Sequence, residues 1–460
     1  MAKTLFYNVH LVDSEIDTQG ALLIENDVIS AVYTGNYSTH EKAMLLEKEI
    51  ADETEYKDCK GLTLMPSFID MHVHFRYPGQ SEKEDLASGL NAAVAGGFGT
   101  LLLMPNTNPV VSSSQMAHSI EAEAAAYNMC DVIQTVSITK DFSGTDISHL
   151  ENLDRVPVIT EDGRDVPTTD VLLAAMEIAA SKGMIVDCHC EDMSLNALAR
   201  DLRKKALNLI DEDSLEDEEH EENLAKIDAY FEEANQILAL SENTATFRNI
   251  EVARETGAAI HIAHCSTKEA IEAVRRAKDS GQKITCEITP HHFALESDTS
   301  EMLRYIVNPP IRLHEDQVAL QKAIKDGVCD VISTDHAPHT ALDKKKGSPG
   351  FPGLETSFAV SYTSLVKSGL ISLNRLSQLM SANPSHILGL DNFEANNLLP
   401  PRGKLRKHYL ANLVILDTSE EWKVDSSKFK TKGKVCPFEG KELTGRVKET
   451  WYFGKCVYQD

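Results

Sequence analysis

One stretch constrains the fold of this chain more than any other: residues 65–79 read MPSFIDMHVHFRYPG. An apolar run leads into Asp70, His72 and His74 at alternate positions. Alternate residues of a β-strand share one face, so the two imidazoles can face a single ion from a stiff backbone. Arg76 follows where the strand should give way to a loop, and a guanidinium suits a carboxylate-bearing substrate. The stretch predicts a metal site if distant segments supply further ligands.

Composition narrows the class of protein. At 460 residues, with 42% hydrophobic and 25% charged residues, the chain can form one large α/β barrel plus a smaller domain. Its net charge of −26 argues against nucleic acid or an anionic membrane as partner. A local arginine can still bind an anionic small molecule, because distant charges are screened. We find no secretory signal, no membrane-length apolar run and no disulfide framework, so we expect a cytoplasmic protein.

From residue 64 onward, apolar strands alternate with helical patterns. Helix-spaced apolar residues occupy 168–182 and 268–279, and two further helices are predicted near 356–368 and 373–382. This alternation predicts a closed parallel (β/α)8 TIM-like barrel. An open doubly wound sheet is the alternative, but no G-x-G-x-x-G or Walker-type loop favours it. The candidate strands are 64–74, 99–106, 131–138, 156–161, 184–190, 259–265, 283–289 and 328–335.

Both ends of the chain have the texture of strands rather than helices. We infer that residues 1–60 and 396–460 together build a small β-sandwich beside a barrel of residues 61–395.

Asp211–Glu222 interrupts the barrel pattern with nine acidic residues among twelve. We interpret it as a solvated, partly disordered surface insertion. A calcium site is the alternative, but the stretch lacks the glycine and the ligand spacing of an EF-hand loop.

Ligand-type residues stand at the ends of several strands, where such a barrel carries its chemistry. Each alone could be a core histidine or a turn aspartate, but their equivalent positions together predict a metal site. With His72 and His74 on strand one, they are Asp162 on strand four, His189 on strand five, His264 on strand six and Asp335 on strand eight.

Other histidines and cysteines near these positions are expected to play supporting roles. Neighbouring residues of a strand face opposite ways, so buried thiols are a simpler interpretation of the nearby cysteines than zinc ligands. The cysteines are Cys188, Cys190 and Cys265, and the histidines expected to orient ligands or cap loops are His261, His291, His292 and His336.

Four histidines and two aspartates suit two divalent ions that share a carboxylate and a hydroxide. Such a pair lowers the pKa of bound water and polarises a carbonyl. Asp335, on the last strand, can take the proton of the attacking hydroxide and pass it to the leaving nitrogen. No Ser-His-Asp or Cys-His arrangement stands out as a rival nucleophile. The predicted reaction is metal-assisted hydrolysis of an amide-like bond.

Motifs spread along the chain resemble those of the dihydroorotases in the amidohydrolase superfamily. They are DMHVHFRYPG, LMPNTNP, TEDG, HCED, HIAHCST, ITPHH, VNPPIR, STDHAPHT and GFPGLET, in the family's order. The resemblance covers about residues 60–390 and resumes in CPFEGKELTGRVKETWYFGKCVY near the C-terminus. It implies a metal-bearing barrel beside a β-sandwich from both chain ends. It also implies reversible ring closure of N-carbamoyl-aspartate to dihydroorotate in pyrimidine synthesis.

The resemblance also implies individual roles. His72, His74 and Asp335 would hold a first zinc ion, and Asp162 would bridge to a second one held by His189 and His264. The expected cofactor is therefore Zn²⁺, one or two ions per chain. Substrate contacts would come from Arg76, Asn106, Asn308 and His339, with a covering loop around Pro352 and Gly353. From the residues alone, Arg76 could instead pair with a neighbouring acid, and both asparagines could be loop-forming residues.

Two features refine the resemblance. Several relatives use a carboxylated lysine as the bridge, but no lysine lies between Lys140 and Lys182, so the aspartate-bridged type matches better. Tyr77 stands where the family usually has an acidic residue. The alternatives are another cyclic amidohydrolase (an allantoinase, or a hydantoinase of the dihydropyrimidinase type) and a non-catalytic barrel scaffold. We expect a small-molecule substrate and a homodimer, and we hypothesise an association with aspartate transcarbamoylase.

Overall fold

Both ends of the chain contribute to one sheet in the computed structural model, which describes residues 3–46, 54–212, 220–297, 305–392 and 399–460. The strand order is β17-β16-β15-β5-β1-β2-β3, with β4 paired to β1. A small β domain built from both chain ends is therefore confirmed. Its strands are β1 (Lys3–Val12), β2 (Asp17–Glu25), β3 (Val28–Thr34), β4 (Thr54–Asp58), β5 (Thr63–Pro66), β15 (Leu413–Lys423), β16 (Glu442–Tyr452) and β17 (Lys455–Gln459).

Strand β5 joins the two chain ends. It lies parallel to β1 and antiparallel to β15, so that Leu64 is paired with both Leu11 and Ile415. The strand ends at Pro66, which has no amide N–H to continue a ladder. The predicted strand 64–74 is therefore wrong as a single element, because the chain passes from this sheet to the barrel at Ser67. The division of the chain at residues 60 and 395 stays a prediction.

Eight parallel strands close into a barrel. Hydrogen-bonded neighbours follow the chain order, and β8 and β9 are halves of one strand. The barrel closes where the His74 N–H donates to the carbonyl of His336 at 2.8 Å, beside a parallel bridge from Val73 to the same residue. The (β/α)8 prediction is confirmed, and the open sheet is excluded. The strands are β6 (Phe68–Val73), β7 (Phe98–Leu103), β8 (Asp131–Gln134), β9 (Val136–Ser137), β10 (Val158–Thr160), β11 (Ile185–Cys188), β12 (Ala259–Ile262), β13 (Ile284–Ile288) and β14 (Val331–Ile332).

Helices connect the strands. The longer ones are α2 (Leu86–Ala95), α3 (Ser114–Ala125), α4 (Thr169–Lys182), α5 (Met193–Glu212), α6 (His220–Thr256), α7 (Lys268–Asp279) and α9 (His314–Asp326). The shorter ones are α1 (His40–Met44), α8 (Pro290–Ala294), α10 (Ala341–Lys345), α11 (Ser357–Ser361), α12 (Leu373–Ser377) and α13 (Asn383–Ile387). Wider π-helical turns extend α11 to Lys367 and α12 to Ala382. Over the described ranges, no helix has both the length and the apolar character of a membrane span.

Helix α7 shows how the local sequence forms one of these connecting helices. The Thr267 side chain caps its start by accepting a hydrogen bond from the Ala270 amide. Ile271, Val274 and Ala277 recur at helical spacing and are all buried. The predicted helix over 268–279 is confirmed at both ends, as is the helix predicted over 168–182 to within one residue.

Helices α5 and α6 form a hairpin that packs on the rim of the barrel. Its apolar side buries Ala206, Ile227 and Phe231 around Ile306, a residue of the segment that follows β13. Of the acidic stretch Asp211–Glu222, residues 213–219 lie outside the described part of the chain. The interpretation of that stretch as a partly disordered insertion therefore stays a prediction.

Candidate functional site

Six ligand-type side chains meet at the carboxyl ends of five barrel strands. His72 lies in β6 and His74 directly follows it, while His189 directly follows β11. Asp162 and His264 each stand two residues beyond the ends of β10 and β12, and Asp335 stands three beyond β14. All six are buried. The structure thus brings together every residue that the sequence nominates as a metal ligand.

The Asp162 carboxylate lies at the centre of this group. Its Oδ1 is 3.1 Å from His72 Nε2 and 3.1 Å from His189 Nδ1. Its Oδ2 is 3.4 Å from His74 Nε2, which is in turn 3.2 Å from Asp335 Oδ1. One carboxylate therefore reaches three imidazoles from two strands, which is the geometry a bridging ligand needs.

The donor atoms fit divalent metal ions. Two sets of side chains, His72–His74–Asp335 and His72–Asp162–His264, each offer ligand atoms within 4.8 Å of one another. The buried His72 Nε2 atom lies 3.1 Å from Asp162 Oδ1, without the geometry of a hydrogen bond. His189 Nδ1 and His264 Nε2 face each other at 2.9 Å. Imidazole nitrogens with carboxylate oxygens are the ligands that zinc and similar ions prefer.

The electrostatics of the group keep Asp162, Asp335 and His264 in their metal-binding forms. Burial opposes protonation of His72 and His189, but the charge of Asp162 outweighs it and raises the pKa of both imidazoles well above the usual value, so a metal ion would displace their protons. Burial raises the pKa of Asp162, but the charges of His72, His74 and His189 outweigh it and hold the pKa well below its usual range. Burial also opposes ionisation of Asp335, yet the hydrogen bond from His74 and the neighbouring charges lower its pKa to about 2. Burial and the charge of His189 lower the pKa of His264 to about 3. The aspartates are thus ionised and His264 is neutral at neutral pH.

Three site residues occupy the left-handed backbone region that side chains other than glycine rarely adopt. The φ angles are +55° at Arg76, +29° at His264 and +48° at Asp335. Such conformations cost about 1–3 kcal/mol each and persist where the surroundings over-determine them. Here they turn the chain sharply at the strand ends, so that the side chains face the barrel mouth.

A cavity of about 230 Å³ opens above these ligands. Its wall carries a guanidinium, an imidazole and two amides beside the ligand group, so it presents donors to an anionic or carbonyl-rich molecule. The lining residues are His74, Arg76, Asn106, Asp162, Gly163, His189, His264, Val307, Asn308, Asp335, Ala337, His339, Ser348, Pro349 and Gly350.

Arg76 is the buried cation of this cavity. Its Nη2 lies 3.1 Å from His339 Nε2, and its Nε donates to the Pro338 carbonyl at 3.4 Å. Burial lowers the pKa of Arg76 to about 10, so the guanidinium stays charged at neutral pH. Burial and the charge of Arg76 lower the pKa of His339 to about 2, so its ring stays neutral. Within the described residues, no carboxylate lies within 4 Å of Arg76, so the salt-bridge alternative is not supported.

The other predicted substrate contacts divide into two groups. Asn106 and Asn308 line the cavity, and Asn106 also contacts the ligands, with Oδ1 2.8 Å from His74 Nδ1 and Nδ2 3.4 Å from Asp162 Oδ2. Pro352 and Gly353, expected to cover the substrate, do not line the cavity; the part of this loop that does is Ser348–Gly350. The Gly353 amide instead donates to His336 Nδ1 at 3.1 Å.

Comparison with known proteins places this geometry in a family. Residues 63–457 match the amidohydrolase family. The chain is 36% identical over 458 residues to a dihydroorotase of Clostridium botulinum (strain Eklund 17B / Type B), covering 99% of both chains. It is 33% identical over 475 residues to a dihydroorotase of Aquifex aeolicus (strain VF5), covering 100% of both. The chain belongs to the amidohydrolase family.

Solved structures support the same fold for this amidohydrolase. An L-hydantoinase from Arthrobacter aurescens superposes with a TM-score of 0.82 at 22% identity, covering 100% of this chain and 96% of that one. A dihydropyrimidinase from Brevibacillus agri NCHU1002 superposes with a TM-score of 0.78 at 20% identity, covering 99% and 95%. At these identities the likeness establishes the architecture alone.

Glu287 is a site residue of this amidohydrolase that sequence reasoning missed. It lies in β13 with no exposed surface, and its Oε1 is 2.8 Å from His72 Nδ1. The same atom accepts the His264 amide at 3.1 Å, and Oε2 is 3.3 Å from His261 Nε2. The carboxylate thus orients two of the candidate ligands, His72 and His264, from the side away from the cavity. An acidic residue inside the buried strand ITCEI was the available signal, since an unpaired carboxylate is rarely buried.

We expect Glu287→Gln to weaken metal binding by about 10–100-fold, because a carboxylate behind a ligating histidine fixes its tautomer and raises its basicity. Competition with a chromophoric chelator measures the affinity. Glu269→Gln, at an exposed position of α7, is the matched control. Unchanged affinity in the Glu287 variant would show that this carboxylate does not support the metal ligands.

The remaining sequence expectations concern side chains around the site. His292 lies within α8, which Thr289 caps, and its ring supports a loop: Nδ1 is 2.7 Å from Thr289 Oγ1 and Nε2 is 3.0 Å from the Pro309 carbonyl oxygen. Cys188, Cys190 and Cys265 are buried, and the close ligand groups found in the described ranges contain no cysteine. Tyr77 faces away from the ligands, and its hydroxyl donates to Glu123 of α3 at 2.6 Å.

Proposed function

We propose that this amidohydrolase is a dihydroorotase, which interconverts dihydroorotate and N-carbamoyl-L-aspartate. The observation that carries the proposal is the placement of one buried guanidinium without a carboxylate partner, Arg76, in the wall of a cavity that is also lined by three of the four candidate ligand histidines and both aspartates. A hydrolytic centre and a carboxylate receptor within one cavity match a cyclic amide that bears a carboxylate. The full-length relatives named dihydroorotase support the same substrate.

We assign the metal ligands as the resemblance does: His72, His74 and Asp335 for one zinc ion, His189 and His264 for a second, and Asp162 between them. The first set coincides with a group of converging ligand atoms. Metal ions held there would supply Lewis-acid activation of water and of the ring carbonyl.

The protein's own groups would position the substrate and move the proton. Arg76 would bind the substrate carboxylate through two parallel hydrogen bonds, with neutral His339 beside it. Asn106 and Asn308 would donate to ring carbonyl or carboxylate oxygens. Asp335 would take a proton from the attacking water and deliver it to the ring nitrogen as the carbon–nitrogen bond breaks. In the ring-closing direction the same carboxylate would return the proton.

Two alternative functions can be distinguished from dihydroorotase. A hydantoinase or allantoinase needs no receptor for a substrate carboxylate, and the position that carries a lysine bridge in several relatives is Asp162 here. A non-catalytic scaffold would have no reason to retain all six converging ligands. The cavity wall therefore favours dihydroorotate over neutral cyclic amides.

The test is an ultraviolet assay of dihydroorotate ring opening, run beside hydantoin and allantoin. We expect turnover of dihydroorotate, its loss after removal of metal with a chelator, and recovery when zinc is added back. Metal analysis of the purified protein should give one or two zinc ions per chain. Faster turnover of hydantoin or allantoin would replace the proposed substrate, and absence of stoichiometric metal would favour a scaffold.

We extend the proposal to the location, the oligomeric state and the partner of the protein. A cytoplasmic location, a homodimer and an association with aspartate transcarbamoylase would suit an enzyme that takes N-carbamoyl-aspartate from a preceding carbamoylation step. Light scattering of the purified protein, alone and mixed with a transcarbamoylase, measures both assemblies.

A further inference from the structure

Arg203, in helix α5, is a buried cation next to the cavity wall that the proposed mechanism leaves unused. Only 8% of its surface is exposed, yet no carboxylate lies within ion-pair distance of it in the described part of the chain. Its Nη1 donates to Asn308 Oδ1 at 2.6 Å, and its Nη2 donates to the Val307 carbonyl at 3.5 Å. Burying a guanidinium without an anionic partner costs free energy, so we expect its hydrogen bonds to Asn308 and Val307 to serve a function.

The first contact determines which way the Asn308 amide faces. An arginine side chain has donors and no acceptor, so it can bind only the oxygen end of an amide. Asn308 must therefore hold its oxygen toward Arg203 and its NH₂ group away from it. Within the described residues, Asn308 Nδ2 has no acceptor of its own, and Asn308 lines the cavity. Two N–H donors are thus left for a bound molecule.

A buried lysine side chain holds the neighbouring backbone. Lys344 Nζ donates to the carbonyls of Ile306 at 2.9 Å, Ser348 at 2.8 Å and Gly350 at 2.8 Å. The consecutive carbonyls of Ile306 and Val307 are therefore bound by Lys344 and Arg203 respectively. Ile306 also packs into the apolar core of the α5–α6 hairpin. Contacts from outside the barrel therefore hold this part of the cavity wall in place.

We propose that Arg203 is a positioning residue that sets substrate affinity by orienting the Asn308 amide, with its donors toward the cavity. The proposal rests on the proposed function, because it takes the occupant to be an anionic cyclic amide or its open form. Without Arg203 the amide can rotate, and its oxygen can face the oxygens of the substrate. The α5–α6 hairpin then carries a determinant of specificity that never touches the substrate.

The test is a double-mutant cycle on KM and kcat for dihydroorotate, with zinc content measured throughout. We expect Arg203→Met and Asn308→Ala each to raise KM by about 10-fold, the loss of a charge-assisted hydrogen bond, with kcat within about two-fold. The double variant should have the KM of Asn308→Ala alone. Arg200→Met, at an exposed position of the same helix, is the matched control and should leave KM unchanged.

Asn308→Asp is a second variant that tests the proposal if Arg203→Met does not fold. It preserves an oxygen for Arg203, removes the donors and adds a negative charge facing the anionic substrate, so KM should rise at least as much as in Asn308→Ala. A wild-type KM in Asn308→Asp, or KM increases that multiply in the double variant, would overturn the proposal. Wild-type turnover of dihydroorotate tests the proposed function separately, so the two failures are distinguishable.

Discussion

Asp335→Asn should lower kcat for dihydroorotate ring opening by about 10²–10⁴-fold, the usual contribution of a general acid–base group. The Asp335 carboxylate lines the cavity 3.2 Å from His74 Nε2 and is ionised at neutral pH, so it is ready to accept a proton. An asparagine amide has the same shape but cannot take up a proton and return it. We expect KM to change by no more than a few-fold, because the predicted substrate contacts are untouched.

The interpretation of that variant depends on its metal content. Asparagine retains an oxygen that can face His74, so zinc stoichiometry should stay near that of the wild type. Asp201→Asn, at an exposed position of α5, is the matched control for the substitution itself. Near-normal kcat with full metal would remove Asp335 from proton transfer. Parallel loss of zinc and activity would show that its main role is as a ligand.

The convergence of the proposed metal ligands could be predicted because the fold imposes it. In a parallel barrel every strand ends at the same rim, so ligand-type residues at several strand ends must approach one another once the strands are recognised. Asp162 and Asp335 are far apart in sequence, yet both lie within reach of His74. Strand alternation was enough to place them, without knowledge of any side-chain contact.

What could not be predicted depends on tertiary contacts. In the sequence, Glu287 is a single acidic residue in an apolar strand, and only the structure places His72 and His261 beside it. Arg203 stands in the run Arg203–Lys205, which has the pattern of a solvated basic face, and only the packing of α5 on the rim buries it. The break after Pro66 was missed because the apolar pattern continues through it, and only pairing partners show that the chain changes sheets.

Arg76→Ala should abolish the preference for a substrate carboxylate while leaving the hydrolytic centre intact. The informative comparison is between dihydroorotate and dihydrouracil, since the two rings differ only by that carboxylate. In the wild type we expect kcat/KM to favour dihydroorotate by about 10²-fold or more, the worth of charge-assisted hydrogen bonds to a buried guanidinium.

In the variant that ratio should fall toward one, mainly through KM for dihydroorotate, with zinc content unchanged. Arg76→Lys is the matched control, because it keeps the charge but not the planar pair of donors, and should retain part of the preference. A carboxylate preference that survives Arg76→Ala would mean that another cation of this wall binds the substrate. Arg203 and Lys344 would then be the groups to test, since both are buried beside the cavity and neither has a carboxylate partner in the described structure.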